Sequence, residues 1–152
     1  MMRRRSLAAM ICALLAACTA GGVPTSSGGG NGLTIDVNLT LNAPSKTPYG
    51  ESGGFAPAVT TVPVGSQIRF MNSDSFAHTA TLIPNLQQFP SGSPFGISAL
   101  MQHGDNLSGG FSSGAMQAGS SSQEITVDRA GTYLFGCFFH YGAPMRGAIV
   151  AQ

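Results

Sequence analysis

Charge is scarce in this sequence: 9% of its 152 residues are charged, and after Arg3, Arg4 and Arg5 no cluster of basic residues recurs. Too few cations remain to neutralise a phosphate backbone, which excludes nucleic acid as a partner. No glycine-rich phosphate loop, heptad or internal repeat is present, which removes nucleotide-handling, coiled-coil and solenoid classes from consideration. Cysteine is equally sparse, with Cys12, Cys18 and Cys137 the whole complement. What the chain has in quantity is glycine (21), proline (9) and many serines and threonines. These disfavour long helices and suit short strands joined by turns, so an all-β fold is expected.

The amino terminus reads as a targeting segment. The arginines precede an apolar stretch of eleven residues, Leu7 to Ala17, short of the roughly 20 needed to span a bilayer. Leu15-Ala16-Ala17-Cys18 resembles a bacterial lipobox, in which the cysteine becomes the first mature residue and carries lipid, so Cys18 is the expected lipidation site. Ordinary cleavage after Ala20 is the alternative and would leave a soluble periplasmic protein. The expected organisation is a signal peptide over 1–17, a flexible tether over 18–32 and one domain over 33–152, lipid-anchored on the periplasmic or cell-surface side. Removing the signal leaves four Lys/Arg against six Asp/Glu, a mature net charge of about −2. It also leaves Cys137 as the one thiol of the domain. An internal disulfide is thereby excluded, and a lone exported thiol needs burial or a metal.

Beyond the glycine-rich residues 19–32, the pattern changes to period two. Leu33, Ile35, Val37, Leu39 and Leu41 alternate with polar residues and predict a strand. Further short strands are expected over 58–62, 67–71, 78–83, 111–116, 124–127, 132–137 and 147–151. The stretch 84–110 is rich in glycine, serine and proline and shows no periodicity beyond room for one helical turn. Seven to eight strands at this spacing suggest a β-sandwich.

The chemistry concentrates in Gly136 to Gly147, where a histidine and a methionine follow a cysteine by three and eight residues. If Tyr133, Phe135 and Cys137 share one inward face, the cysteine lies where its strand ends, and the loop after it can return His140 and Met145 to the same point. His78, after the turn Asn72-Ser-Asp-Ser, is positioned to supply a fourth ligand from a neighbouring strand, although spacing by itself leaves that pairing open. A thiolate and two imidazoles with a weak thioether above them is the ligand chemistry of blue-copper sites. His103, beside Met101, is a weaker candidate for a separate metal site and reads as a solvated loop residue. Phe138, Phe139 and Tyr141 are candidates for an apolar docking rim around His140, with at least one of them expected to pack inward instead.

With these residues in view, 33–152 resembles the cupredoxin superfamily, nearest the plastocyanin, pseudoazurin and amicyanin type, whose signature is Cys-x2-His-x4-Met. Val62-Pro-Val-Gly-Ser, Asn72-Ser-Asp-Ser, Ala130-Gly-Thr-Tyr and Arg146-Gly-Ala-Ile-Val extend the likeness over nearly the whole domain. The resemblance implies a Greek-key β-sandwich and one type 1 copper ion held by His78, Cys137, His140 and Met145. It further implies an electron carrier, not an enzyme, that works through the partly exposed His140. Phe139 stands where plastocyanins have proline, and Thr79 where several members have an asparagine that ties the ligand loops together. The expected partners are redox proteins, a cytochrome or a copper enzyme, met by a monomer through apolar contact. Copper storage or delivery outside the cytoplasm is the competing function, weakened by the absence of methionine-rich or histidine-rich tracts.

Overall fold

Alternation of buried and exposed residues builds the first strands. In the computed structural model, which describes residues 32–152, β1 (Gly32–Val37) buries Ile35 and Val37, and β6 (Gln67–Asn72) buries Ile68, Phe70 and Asn72. The two run parallel, Gly32 opposite Gln67 through Val37 opposite Asn72. The signal peptide, Cys18 and nearly all of the tether lie outside the described residues.

β1 stops at Val37, although the apolar alternation continues to Leu41. Asn38 ends it: its side-chain Oδ1 accepts the N–H groups of Thr40 (3.1 Å) and Leu41 (2.9 Å) and turns the chain out of the ladder. Leu41 is left 76% exposed. The remaining strands are β2 (Ser45–Thr47), β3 (Gly50–Ser52), β4 (Phe55–Ala56), β5 (Val59–Val62), β7 (Thr81–Ile83), β8 (Gln102–Asn106), β9 (Gly110–Ser113), β10 (Ile125–Thr126), β11 (Gly131–Gly136) and β12 (Arg146–Ala151). The described residues thus contain twelve strands rather than seven or eight. The surplus consists of two- to five-residue pieces whose sequences carry no alternation. β8, Gln-His-Gly-Asp-Asn, is the extreme case: nearly all exposed, it is a strand because β9 and β10 supply partners on either side.

β2 and β3 form a separate hairpin, and the other ten strands make one continuous ladder, β4-β1-β6-β10-β8-β9-β7-β11-β12-β5. Its two ends, β4 and β5, are separated in sequence by Pro57 and Ala58 alone. The ladder must therefore curl until its edges meet, giving a closed all-β sandwich without long free edges. Inside it Phe55, Phe70, Phe111 and Phe135 pack with ring centroids 4.9–6.0 Å apart. Ile35, Ile68, Ile125, Val127 and Ile149 surround them.

The segment 84–110 has a defined task. It holds a single 3-10 turn, Ile97–Leu100, and brings Phe89 and Phe95 against Ile83, Leu134, Tyr141 and Ala148 on the outer face of β7, β11 and β12. Leu134, which alternation turns away from the main core, is fully buried for that reason. No helix among the described residues is long and apolar enough to cross a membrane.

Candidate metal centre

β11 carries Phe135 into the core and ends at Gly136, so Cys137 emerges at one end of the sandwich with its thiol fully buried. The next residues turn back at once. The Ala143 and Met145 N–H groups donate to the His140 carbonyl at 2.9 and 3.3 Å, and the Cys137 N–H donates to the Met145 carbonyl at 3.0 Å. These bonds close the loop from 138 to 145 and bring His140 and Met145 back beside the cysteine.

His78 arrives from another part of the chain. It does not open β7 as the sequence suggested; that strand begins at Thr81, and His78 instead makes an isolated bridge with Met116. The turn before it is organised by the buried Asn72. Its side-chain NH2 donates to the Phe76 and Met116 carbonyls, both at 2.9 Å, and its Oδ1 accepts the Asp74 N–H at 2.9 Å.

Three ligand atoms converge. The His78 and His140 Nδ1 atoms are 3.2 Å apart, and Cys137 Sγ lies 3.7 and 3.8 Å from them. For a first-row ion at about 2.0 Å from imidazole nitrogen and about 2.3 Å from thiolate, a trigonal arrangement places nitrogens roughly 3.5 Å apart and sulfur roughly 3.7 Å from each. The observed triangle fits within a few tenths of an ångström. Two imidazole nitrogens and a thiol sulfur brought this close form a donor set that could hold a metal ion.

The thiol is conditioned by its surroundings. Burial raises the Cys137 pKa above its ordinary 9.0, while the backbone N–H groups of Thr79, His140 and Phe139 and the Thr79 hydroxyl pull the other way. Among these, the Thr79 N–H donates to Sγ at 3.4 Å. Burial also lowers the pKa of His140, helped by nearby His78 and opposed by Asp74. The His140 imidazole therefore tends to be neutral, the form in which it binds metal.

Thr79 resolves one departure noted in the sequence. Its buried hydroxyl accepts the Phe138 N–H at 2.8 Å, tying the loop of His78 to the loop of Cys137 and His140 as an asparagine side chain would. Met145 is fully buried, and its side chain is seated by Gly54. A Cβ on that glycine would fall 2.5 Å from Met145 Cγ and 3.2 Å from Sδ.

The sequence of the family "Copper binding proteins, plastocyanin/azurin family" matches residues 50–152. This chain is a member of that family. A plastocyanin of Scenedesmus fuscus is 29% identical over 117 residues, covering 77% of this chain and all of the relative. Among solved structures, similar folds include a novel purple cupredoxin from Nitrosopumilus maritimus (18% identity, TM-score 0.48, covering 78% of this chain and 98% of that one). Another is the oxidised plastocyanin from Dryopteris crassirhizoma (19%, 0.47, 79% and 100%). The protein is a cupredoxin-like blue copper protein, and its His78, Cys137 and His140 form a group able to hold one copper ion.

Around the cupredoxin's partly exposed His140, one of the three candidate rim residues packs inward, as the sequence led us to expect. Phe138 is half-buried and Phe139 is 44% exposed, but Tyr141 points inward, 2% exposed. There it packs on Phe95 and under the Arg146 guanidinium, and its OH donates to the Pro90 carbonyl. The rim is completed by Phe76, 40% exposed, whose ring lies 4.8 Å from His78 and 5.3 Å from His140. Sequence reasoning missed Phe76, and the available signal was its place two residues before His78 in the same turn. His103 takes no part. It lies exposed on β8 with Nδ1 3.1 Å from the Met101 carbonyl, and the Met101 side chain is 71% exposed.

Proposed function

We propose that this cupredoxin carries single electrons between redox proteins outside the cytoplasm, with His78, Cys137 and His140 as the trigonal copper ligands and Met145 as the axial one. The observation that carries this reading is the pre-formed triangle of one thiol and two imidazole nitrogens, closed by backbone hydrogen bonds and buried against the core. Copper in such a site exchanges one electron between Cu(I) and Cu(II).

The protein's contribution is to hold the ligands still. The Thr79 hydroxyl and the Cys137–Met145 backbone bond keep the ligand loops in one arrangement, so little rearrangement accompanies a change of charge. A fourth side chain from Met145 leaves no open position for a substrate, which favours a carrier over an enzyme. His140 is the ligand nearest solvent, and exposed Phe76 and Phe139 beside it offer an apolar docking surface to a cytochrome or copper enzyme. The low charge of the chain favours contact of that kind over electrostatic steering. The Arg-rich leader, Cys18 and the glycine-rich stretch support a mature form held to a bacterial membrane by lipid on Cys18.

The test is the absorption and EPR spectrum of the copper-loaded protein beside that of Cys137→Ser, with voltammetry of both. An intense thiolate-to-Cu(II) band, lost in the variant, and a reversible one-electron wave are expected. A colourless protein that binds Cu(I) without reversible cycling would instead indicate copper storage or delivery. Mass spectrometry of the mature terminus reads the anchor directly: diacyl or triacyl Cys18 supports it, and a free residue 21 refutes it.

A further inference from the structure

Behind His78, on the side away from the ligand triangle, lies a carboxylate. Asp74 is 7% exposed and its Oδ2 is 3.2 Å from His78 Nε2. The same Oδ2 accepts the Leu39 N–H at 2.9 Å, and Oδ1 accepts the Ser75 N–H at 2.8 Å. Among the described residues its ion-pair partner is His78, and no lysine or arginine pairs with it.

Resting on the copper-carrier reading above, we infer that Asp74 is a positioning residue of the metal centre: it fixes which nitrogen of His78 faces the metal and biases the couple toward the oxidised ion. An ionised carboxylate can only accept hydrogen bonds. Its contact with Nε2 therefore assigns the ring proton to that nitrogen and leaves the Nδ1 lone pair free, aimed at His140 Nδ1 and Cys137 Sγ. Without it, an Nδ1–H tautomer could donate to His140 Nδ1 at 3.2 Å and close the site against metal. The second consequence is electrostatic. A buried negative charge without a basic counter-ion, one imidazole ring away from the metal, makes that imidazole a stronger donor and favours the more positive oxidation state. Capping of Leu39 and Ser75 would account for two of the three contacts but not for the one directed at His78.

Two measurements on the full chain test this. In the metal-free wild type, long-range proton–nitrogen NMR of His78 should show the Nε2–H tautomer; the Nδ1–H tautomer would overturn the inference. In copper-loaded Asp74→Asn, which keeps the size and an accepting oxygen but loses the charge, the preference for Cu(II) over Cu(I) should fall about tenfold. For a one-electron couple that is an upward shift of about 59 mV in midpoint potential. A lowered melting temperature with an unchanged potential would reduce Asp74 to a structural cap and overturn the inference. Should the variant fail to fold, the wild-type tautomer remains decisive. Failure of the wild type to take up copper would refute the carrier function, while the tautomer would still decide the role of Asp74.

Discussion

Gly54→Ala perturbs the proposed metal centre without replacing a ligand. Gly54 has φ +72°, and a Cβ there would meet Met145 Cγ at 2.5 Å, so the thioether side chain must retreat by about 0.9 Å to reach the 3.4 Å of ordinary contact. Gly65→Ala is the matched control: φ is +91° and nothing lies within 4 Å of its added methyl. Each substitution carries the strain of a positive φ, about 1 kcal/mol after allowing for the stiffer unfolded chain. Only Gly54→Ala adds overpacking, about 1–3 kcal/mol. At about 4 °C per kcal/mol for a domain of this size, Gly65→Ala should melt about 4 °C below wild type and Gly54→Ala about 8–16 °C below. Calorimetry of the metal-free proteins measures that difference. The copper-loaded spectrum reads the displaced thioether, with Gly54→Ala altered and Gly65→Ala unchanged. Equal melting of the two variants together with a wild-type spectrum for Gly54→Ala would refute the seating of Met145 by Gly54.

Two further outcomes follow from the loops and from the thiol. Thr79→Val removes the acceptor of the Phe138 N–H while keeping the side chain's shape, so about 1–3 kcal/mol of stability should be lost, and Thr79→Ser should restore most of it; denaturant unfolding of the three proteins checks this. Because burial holds the Cys137 thiol above 9.0, it is protonated near neutrality and metal binding must release that proton. Cu(I) affinity should therefore rise about tenfold per pH unit from about 6.5 to 9. Proton competition at His140, its pKa lowered by burial, should add to that slope below 6.5. Calorimetry in buffers of different ionisation enthalpy should count one proton released near pH 7.5, and none released would contradict the buried thiol.

How much of this was legible in advance depends on how local each feature is. Cys137, His140 and Met145 lie within nine residues on one strand end and its loop, so their spacing already says that they can converge. The inward face of Phe135 and Cys137 was readable from the period of a strand. The end of β1 was not, because Leu39 and Leu41 keep the period while the Asn38 side chain breaks the ladder. β8 and the packing of Phe89 and Phe95 were invisible for a related reason. The first owes its form to neighbouring strands, and the second covers a face, that of Leu134, which alternation alone assigns to solvent.

The sequence by itself determined the class of fold, the metal chemistry of a lone thiol among imidazoles, and three of its four proposed ligands. Those properties follow from composition and short-range spacing. Tertiary structure alone decided that His78 Nδ1 lies 3.2 Å from its counterpart on His140, 62 residues away. It likewise decided that Thr79 ties the two loops, that Gly54 seats Met145 and that Asp74 stands behind His78. Asp74 and His78 are four residues apart, and the turn between them sets their contact. The other three contacts join segments whose only relation is that the curled sheet closes around one core and brings their ends to the same place, and no local pattern encodes a meeting that only closure brings about.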